Sequence, residues 1–317
     1  LQIYRAELTI TSPLEQPYEV EVEEDVLVMI KLENPGNGLD SFRLESELIT
    51  SLDNEEEFEV SVSFTSSTVS LGPGSIQTIP VIVTLPENTP ANTEIEILII
   101  MTSQGNLSVQ DSEILSLSAK QDHRWEINGE YLGNNIRNST IITAPGETGQ
   151  VILEAINIGN LEDDIALETS ISIRYAGSDD SQGWNASGTS IEGIQVNQTG
   201  NPSISWSVPN DAWNGTIMQI TVDANARGET VDTIIFSIEV PHIKEWRAIS
   251  SQVDLEINPE GSSIDIEIMQ LGNSPSNAYS TVYVNGSNDW IVETPEELPI
   301  LSPGESAFMT LNITPPE

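Results

Sequence analysis

The sequence predicts an all-β protein made of tandem antiparallel immunoglobulin-like β-sandwiches, each of about seven strands. Many short segments alternate apolar and polar residues, which places one face of a strand in a core and the other in water. No segment of useful length has the 3.6-residue period of a helix. One turn motif occurs three times, at spacings of 123 residues (37 to 160) and 113 residues (160 to 273), which is the length of a small β-domain.

The repeated turn motif reads Asn-Pro-Gly-Asn at 34–37, Asn-Ile-Gly-Asn at 157–160 and Gln-Leu-Gly-Asn at 270–273. Each copy directly follows an alternating strand, and the apolar positions of the three strands match without gaps. Glycine tolerates a positive φ, and asparagine can bond its own backbone. We therefore expect a turn in which the glycine, Gly159 in the second copy, has a positive φ.

The repeat divides the chain into three predicted modules, 1–121, 122–242 and 243–317. We expect an insertion near 173–200 in the second module, and we expect the third to lack its last strands. Those strands can come from the same chain or from a neighbouring copy, by strand addition with Leu1 to Ile10 as donor. The joints near 121 and 242 have almost no spacer, which predicts a semi-rigid rod.

Several landmarks resemble a known family of repeats. The order is Gly-Asn, then Asp289-Trp290, then Leu-Ser-Pro-Gly-Glu-Ser at 301–306, then Thr-Pro-Pro at 314–316. It resembles the immunoglobulin-like modules associated with α-galactosidases and the CARDB-like repeats of archaeal and bacterial surface proteins. The resemblance implies a spacer, adhesive or envelope role at the cell surface and no fixed ligand.

The net charge of −40, from 50 acidic and 10 basic residues, excludes nucleic acid as a partner, because phosphate contacts need clustered lysine and arginine. An acidic surface of this kind is typical of salt-adapted, halophilic proteins, in which the medium screens self-repulsion. The alternative is calcium binding, since carboxylates are hard oxygen ligands, although no EF-hand spacing is present. The calcium candidates are Asp53, Glu55, Asp163, Asp164, Asp179 and Asp180.

Seven Asn-x-Ser/Thr sequons are glycosylation candidates, slightly more than the composition gives by chance. Loop-like sequence favours three of them, Asn106, Asn185 and Asn285. The others lie in polar segments with strand-like or turn-like sequence and are Asn138, Asn197, Asn214 and Asn312.

The histidine content argues against an enzyme. His123 and His242 are the only two histidines, and both stand at the end of a predicted module beside a tryptophan, which favours a packing or capping role. No nucleophile elbow accompanies them, so no Ser-His-Asp set can be assembled. Most tryptophans recur at equivalent positions and are expected in cores. Trp213, which has no counterpart in the first module, is the one candidate for ligand contact.

The sequence therefore predicts a non-enzymatic extracellular structural or adhesive protein, such as a surface stalk, envelope layer or filament subunit. Its expected partners are neighbouring copies or other surface proteins, with glycans as a further class, and no cofactor is expected apart from calcium. No apolar run reaches membrane-spanning length, and the first residues lack the pattern of a signal peptide. The alternative function is a carbohydrate-binding accessory region of a larger secreted hydrolase, which a glycan array would discriminate.

The acidic surface gives a first testable prediction. Raising NaCl from about 0.05 M to about 1 M should raise the melting temperature, because screening at the higher salt acts over about 3 Å. Millimolar calcium at constant ionic strength should add little. A large shift specific to calcium, measured by differential scanning fluorimetry, would instead favour a calcium site.

Overall fold

The computed structural model describes residues 1–13, 15–50, 60–250, 254–285, 289–294 and 297–316. Within these ranges the chain forms 24 β-strands and no helix, which confirms the predicted all-β class. The chain divides into two compact units. The first comprises Leu1–Glu126, Ala155–Asp164 and Glu192–Gly200, and the second comprises Ile127–Glu154, Ile165–Ile191 and Asn201–Glu317.

The first part of the chain forms a pair of sheets with the strand orders β1-β3-β7-β5 and β2-β9-β8-β4-β6. Apolar side chains from both sheets share one core, in which alternate residues of each strand are buried. The strands are β1 (Glu7–Ser12), β2 (Tyr18–Val20), β3 (Asp25–Glu33), β4 (Asp40–Leu48), β5 (Ser61–Phe64), β6 (Thr68–Leu71), β7 (Ile76–Thr84), β8 (Glu94–Ser103) and β9 (Gln110–Ala119).

The second part of the chain forms two further sheets with the orders β11-β10-β13-β18-β15 and β12-β20-β19-β14-β16. A short strand, β17, pairs with β13 beside the first of them. The strands are β10 (Trp125–Tyr131), β11 (Asn134–Asn135), β12 (Thr140–Ile142), β13 (Thr148–Asn157), β14 (Asp163–Arg174), β15 (Asn185–Gly188), β16 (Ser190–Ile194), β17 (Thr199–Gly200), β18 (Ser203–Ser207), β19 (Ile217–Ala226) and β20 (Glu229–Glu239).

The two sheet pairs have the same topology. β10, β13, β18 and β15 take the places of β1, β3, β7 and β5, and β12, β20, β19, β14 and β16 take those of β2, β9, β8, β4 and β6. In each pair a short early strand, β2 or β12, runs parallel to the last strand, β9 or β20. The long central strands pair antiparallel. In the immunoglobulin fold, a four-stranded sheet packs on a second sheet in which the last strand pairs with the second-last, and that strand pairs with one from the first half of the domain. The central orders β9-β8-β4 and β20-β19-β14 match this arrangement. The pairs contain nine and eleven strands because short edge segments add to the predicted seven.

The C-terminal part forms one four-stranded sheet with the order β21-β22-β24-β23. It matches the first sheet of each pair, and no second sheet follows it within the described residues. Its small apolar cluster centres on Ile268, Leu298 and Met309. The strands are β21 (Trp246–Ser250), β22 (Ser262–Gln270), β23 (Ile291–Glu293) and β24 (Ser306–Thr314).

Donation of Leu1 to Ile10 to a neighbouring copy was one of the two alternatives for completing the third module. In the structure, β1 pairs with β3 of its own sheet and buries Leu8. The range 173–200, expected as an insertion, contains β15 and β16, which hold the sheet positions of β5 and β6. The segment therefore has a counterpart in the first pair.

Trp206 is the largest fully buried side chain and anchors the core of the second sheet pair. Its ring contacts Tyr131 and Phe236 edge-on, with centroid distances of 5.8 Å and 5.9 Å, and its Nε1 donates a hydrogen bond to Thr143 Oγ1 (3.2 Å). Gly149, directly opposite on β13, leaves room for the indole ring. The sequence did not single out this tryptophan, because it lies in an ordinary alternating strand.

We predict that Trp206→Ala lowers the free energy of unfolding by about 3–5 kcal/mol, the usual cost of removing a buried large aromatic side chain. Hydrogen exchange of β13 and β18 amides in increasing urea measures it. The control is Ile152→Ala on the exposed face of β13, for which a change within about 0.5 kcal/mol is expected. Equal effects of the two substitutions would contradict the central role of Trp206.

Candidate functional site

The three copies of the turn motif lie where a segment of chain enters a sheet pair or the four-stranded C-terminal sheet. Each motif begins at the end of a long strand, β3, β13 or β22. Each also contacts the segment that precedes the first strand of its own sheet. These entry segments contain Ile3, Asp122 and Ile243, respectively. The motifs are therefore joint elements as well as turns.

The last asparagine of the motif binds the entry segment through both ends of its amide. In the second copy, Asn160 Oδ1 accepts a hydrogen bond from the Asp122 backbone N–H (2.9 Å), and Asn160 Nδ2 donates to the Lys120 carbonyl oxygen (2.9 Å). The Asn160 backbone N–H also donates to the Asp122 carbonyl oxygen (3.2 Å). We call this set of contacts the asparagine clamp.

The asparagine clamp is the same in the other two copies. In the first, Asn37 Oδ1 accepts from the Ile3 N–H (2.7 Å) and Nδ2 donates to the Leu1 carbonyl (3.1 Å). In the third, Asn273 Oδ1 accepts from the Ile243 N–H (2.8 Å) and Nδ2 donates to Pro241 (2.8 Å). The same contacts therefore hold the chain where it enters each sheet pair and the C-terminal sheet.

The glycine of the motif is required by close packing. Its φ is outside the positive region in all three copies, so the expected positive φ of Gly159 is wrong. A Cβ on Gly159 would lie 2.1 Å from the Asp122 carbonyl oxygen, and Gly36 and Gly272 would approach the equivalent oxygens at 2.5 Å and 2.3 Å. The absence of a side chain lets the entry segment reach the asparagine.

The first residue of the motif closes the turn itself. Asn157 Oδ1 accepts from the Gly159 N–H (3.0 Å), while its Nδ2 donates to the carbonyls of Leu161 (2.7 Å) and Ile194 (2.9 Å). Asn34 makes the equivalent bonds in the first copy. The third copy has Gln270, whose buried Oε1 has no hydrogen-bond partner in the described part of the chain. The longer side chain therefore reproduces only part of the arrangement.

Each of the two later motifs also binds a loop that follows the β7-type strand upstream. The Ala91 N–H donates to the Asn160 carbonyl oxygen (2.9 Å), and Asn160 Nδ2 donates to the Thr89 carbonyl (3.2 Å). The Asn214 N–H donates to the Asn273 carbonyl oxygen (2.9 Å) in the same way. Residues 91 and 214 are 123 positions apart, the spacing of the repeat. Both joints are thus closed by hydrogen bonds on two sides.

The first joint also carries a cluster of charges around Arg124. Its guanidinium binds the Asp122 carboxylate and approaches Glu87 (3.4 Å) and Glu23 (3.8 Å). The hydrogen bond with Asp122 is the main cause that raises the pKa of Arg124, against the opposing effect of burial. These ion pairs are partly exposed, so each contributes little by itself.

His123 and Trp125 meet at a buried carboxylate beside this joint. Asp163 Oδ2 lies 2.9 Å from His123 Nδ1 and 3.4 Å from Trp125 Nε1, and Oδ1 accepts from the Asp164 N–H (2.9 Å). Asp40 occupies the same position after the first motif and binds Ser103 Oγ (2.5 Å) instead. His242, the counterpart at the second joint, is exposed.

Asp179 fastens the loop after β14 to the loop before β19. It is buried, and its Oδ2 accepts from Thr216 Oγ1 (2.6 Å) and the Trp213 N–H (3.1 Å), while Oδ1 accepts from the Ser181 N–H (2.9 Å). Burial raises the pKa of Asp179, but the hydrogen bonds outweigh it and the pKa lies below the ordinary value. The Trp213 ring is half-buried and covers Gly177.

The remaining predicted site residues are dispersed. Asp53 and Glu55 lie outside the described residues, whereas Asp164 and Asp180 are exposed. No three histidine, aspartate or glutamate side chains come together to hold a metal in the ranges that the structure covers. Calcium binding stays a prediction. Of the sequons, Asn214 is half-buried, and the exposed ones are Asn106, Asn138, Asn185, Asn197, Asn285 and Asn312.

The sequence signals of these sites differ. The asparagine clamp could have been anticipated from the motif, but not its partner segments, because their approach depends on tertiary packing. Asp40 and Asp163 share a position three residues after the motif, so the repeat carried a signal for them.

The described part of the chain contains no helix with the length and apolarity needed to cross a bilayer.

Comparison with known proteins gives only distant similarities. No protein-family model matches the chain, and no curated protein matches it. Among solved structures, protocadherin gamma B7 extracellular cadherin domains 1–4 have a TM-score of 0.35 at 11% identity, covering 95% of this chain and 66% of that chain. The class 5 fimbriae chaperone CfaA has a TM-score of 0.25 at 13% identity, covering 74% and 100%. At these values neither carries an argument about function.

We predict that Gly159→Ala lowers the stability of the first joint by about 1–3 kcal/mol, because the new Cβ must displace the Asp122 backbone. Hydrogen exchange at Asp122 and Ala91 measures it. The control is Gly72→Ala, where a Cβ would meet only the side chain of Ser75, at 3.3 Å. A loss in the control equal to that in the variant would contradict the packing argument.

Asp179 gives a prediction about pH. Because its pKa is lowered on folding, its contribution is present above the ordinary aspartate pKa near 4 and is lost as the pH falls through the lower folded value. Asp179→Asn should therefore be less stable than wild type at pH 6, and the difference should shrink towards pH 2. Urea unfolding at several pH values measures it, with exposed Asp180→Asn as the control. A difference independent of pH would count against this assignment.

Proposed function

We propose that this chain is a non-enzymatic extracellular structural or adhesive protein, a part of a surface stalk, envelope layer or filament built from immunoglobulin-like repeats. The observation that carries the proposal is the asparagine clamp, present where the chain enters each sheet pair and the C-terminal sheet. The most specific side-chain hydrogen bonds of the repeat hold successive parts of the chain together. A protein that acts as an array of modules needs such bonds where one module follows another.

The burial of the clamp at the two later motifs supports a mechanical role. Asn160 is 4% exposed and Asn273 is 7% exposed, whereas Asn37, in the first copy, is exposed. Hydrogen bonds shielded from water typically contribute about 1 kcal/mol each, and leaving such groups unpaired costs more. A joint that contains several shielded hydrogen bonds therefore opens less readily than a polar linker of the same length. A flexible linker would not require buried asparagine side chains.

The surface chemistry supports an exposed location in a salty medium. A net charge of −40 keeps copies apart in dilute salt and allows them to approach when salt screens the repulsion. Neighbouring copies or other surface proteins are therefore the partners that we propose. The resemblance of the motifs to CARDB-like repeats of surface proteins is consistent with this role.

The alternative, a carbohydrate-binding accessory region, depends on an exposed aromatic side chain. Trp213 was the candidate, but its ring covers Gly177 and its backbone N–H binds Asp179. A half-buried ring packed against the protein offers less area for stacking on a sugar than a fully exposed one. A glycan array distinguishes the two functions: specific binding that Trp213→Ala abolishes would favour the alternative.

Asn160→Asp tests the asparagine clamp. The substitution keeps an acceptor for the Asp122 N–H but replaces the two amide donations to Lys120 and Thr89 by carboxylate–carbonyl repulsion. We expect the amides of Asp122 and Ala91 to exchange about tenfold faster or more, as for a segment that opens locally. Asn138→Asp, which adds the same charge at an exposed residue, should leave both rates unchanged. Unchanged rates in Asn160→Asp would overturn the joint role.

Location is tested separately in the source cells. Protease added to intact cells should release peptides of this chain before any cytoplasmic marker appears. Detection of the chain only after lysis would overturn the extracellular assignment. This result does not depend on the state of any asparagine side chain.

A further inference from the structure

The sequon Asn185-Ala186-Ser187 lies on β15, at the edge of the first sheet of the second pair. Residues two apart on a strand share a face, so Asn185 and Ser187 point to the same side, and both are exposed. The neighbouring residue Trp184 is buried, with Nε1 donating to Ser181 Oγ (3.0 Å), and holds the start of the strand. The acceptor amide is therefore presented on a fixed backbone.

Asn185 stands at the rim of a shallow groove of about 450 Å³ on the outer face of this sheet. The register places two rows of side chains across three strands, Thr148–Ser207–Asn185 and Gln150–Ser205–Ser187. All six are uncharged and polar, in a protein with a net charge of −40. Apart from Gln150, which donates to Ser203 Oγ (3.0 Å), none has a side-chain hydrogen bond within the described residues.

We propose that Asn185 carries an N-linked glycan whose first sugars lie in this groove. The inference rests on the extracellular location proposed above. The donor is a lipid-linked oligosaccharide phosphate, and the catalyst is the oligosaccharyl transferase of the cell. The bond from the anomeric carbon to the phosphate oxygen breaks, a bond from that carbon to Asn185 Nδ2 forms, and the amide loses one proton. The lipid phosphate leaves with the electron pair.

The chemistry of the groove fits a sugar attached at its rim. Saccharide hydroxyls are neutral donors and acceptors, which match serine and threonine hydroxyls and glutamine amides without need of charge. A sugar bound at Asn185 reaches the two rows without losing the translational freedom that a free ligand loses. The glycan would also cover the exposed hydrogen-bonding edge of β15, a position at which other chains could pair.

The other sequons provide the contrast. At Asn214 the asparagine is half-buried, and the hydroxyl of Thr216, two residues on, is fully buried and donates to Asp179. A glycan there would disrupt the loop that Asp179 fastens. Asn106 is exposed in a turn, and its Oδ1 accepts from the Ser108 N–H (3.2 Å). It offers an exposed sequon for comparison with Asn185.

The first experiment is occupancy by peptide mass spectrometry, on the full chain secreted from a host that attaches N-glycans. Asn185 should be occupied in most folded molecules and Asn214 in few, and Asn185→Gln should remove one glycan while Asn214→Gln removes none. An unoccupied Asn185 beside an occupied Asn106 would overturn the proposal. So would an occupied Asn214 in folded protein, because it would show that this fold does not select among its sequons.

The second experiment asks where the sugars lie. Endoglycosidase under native conditions should release the Asn185 glycan about tenfold more slowly than the Asn106 glycan, since a packed segment must open first. In urea the two rates should be equal. Ser205→Glu, which places a charge in the groove, should speed native release, whereas Ile152→Glu on the exposed face of β13 should not. Equal native rates would overturn the groove assignment.

Discussion

The contact on which the repeat depends is the approach of one backbone to another at the glycine of the turn motif. The entry segment passes so close to Gly36, Gly159 and Gly272 that a Cβ would lie within 2.5 Å of its carbonyl oxygen. Only at this distance can the next asparagine bind the segment through both its oxygen and its nitrogen. Loss of the approach would leave the buried side chains of Asn160 and Asn273 with unpaired groups, which costs more than the bonds themselves contribute.

The asparagine clamp also explains why the joints need no linker. Five residues separate the end of β9 from the start of β10, and the clamp binds this segment at Lys120 and Asp122. The loop containing Thr89 and Ala91 then binds the same asparagine from the other side. The equivalent loop binds Asn273 at the second joint, through the Asn214 N–H.

The sequence predicted the fold class well because alternation and turn chemistry are local. The apolar positions 28, 30 and 32 are all fully buried, as a period of two requires. The conformation of Gly159 was predicted wrongly, since the reason for glycine lies in a segment 37 residues away, at Asp122. Trp206 and Asp179 bind Thr143 and Thr216, which are distant in sequence, so composition and spacing did not predict these contacts. The range 173–200 was predicted as an insertion because it departs from the landmark order of the other copies, and in the structure its strands β15 and β16 hold the positions of β5 and β6.

The parallel edge strand has a consequence for how tension acts on the first sheet pair. β2 runs alongside β9 in the same direction, with the Lys120 N–H bonded to the Val20 carbonyl oxygen (2.8 Å). When the two ends of this pair are pulled apart, the strands slide along their own axes, and their hydrogen bonds are loaded together. An antiparallel hairpin pulled at its open end would break one bond after another. The second pair repeats the arrangement with β12 and β20, so both resist stretching in shear.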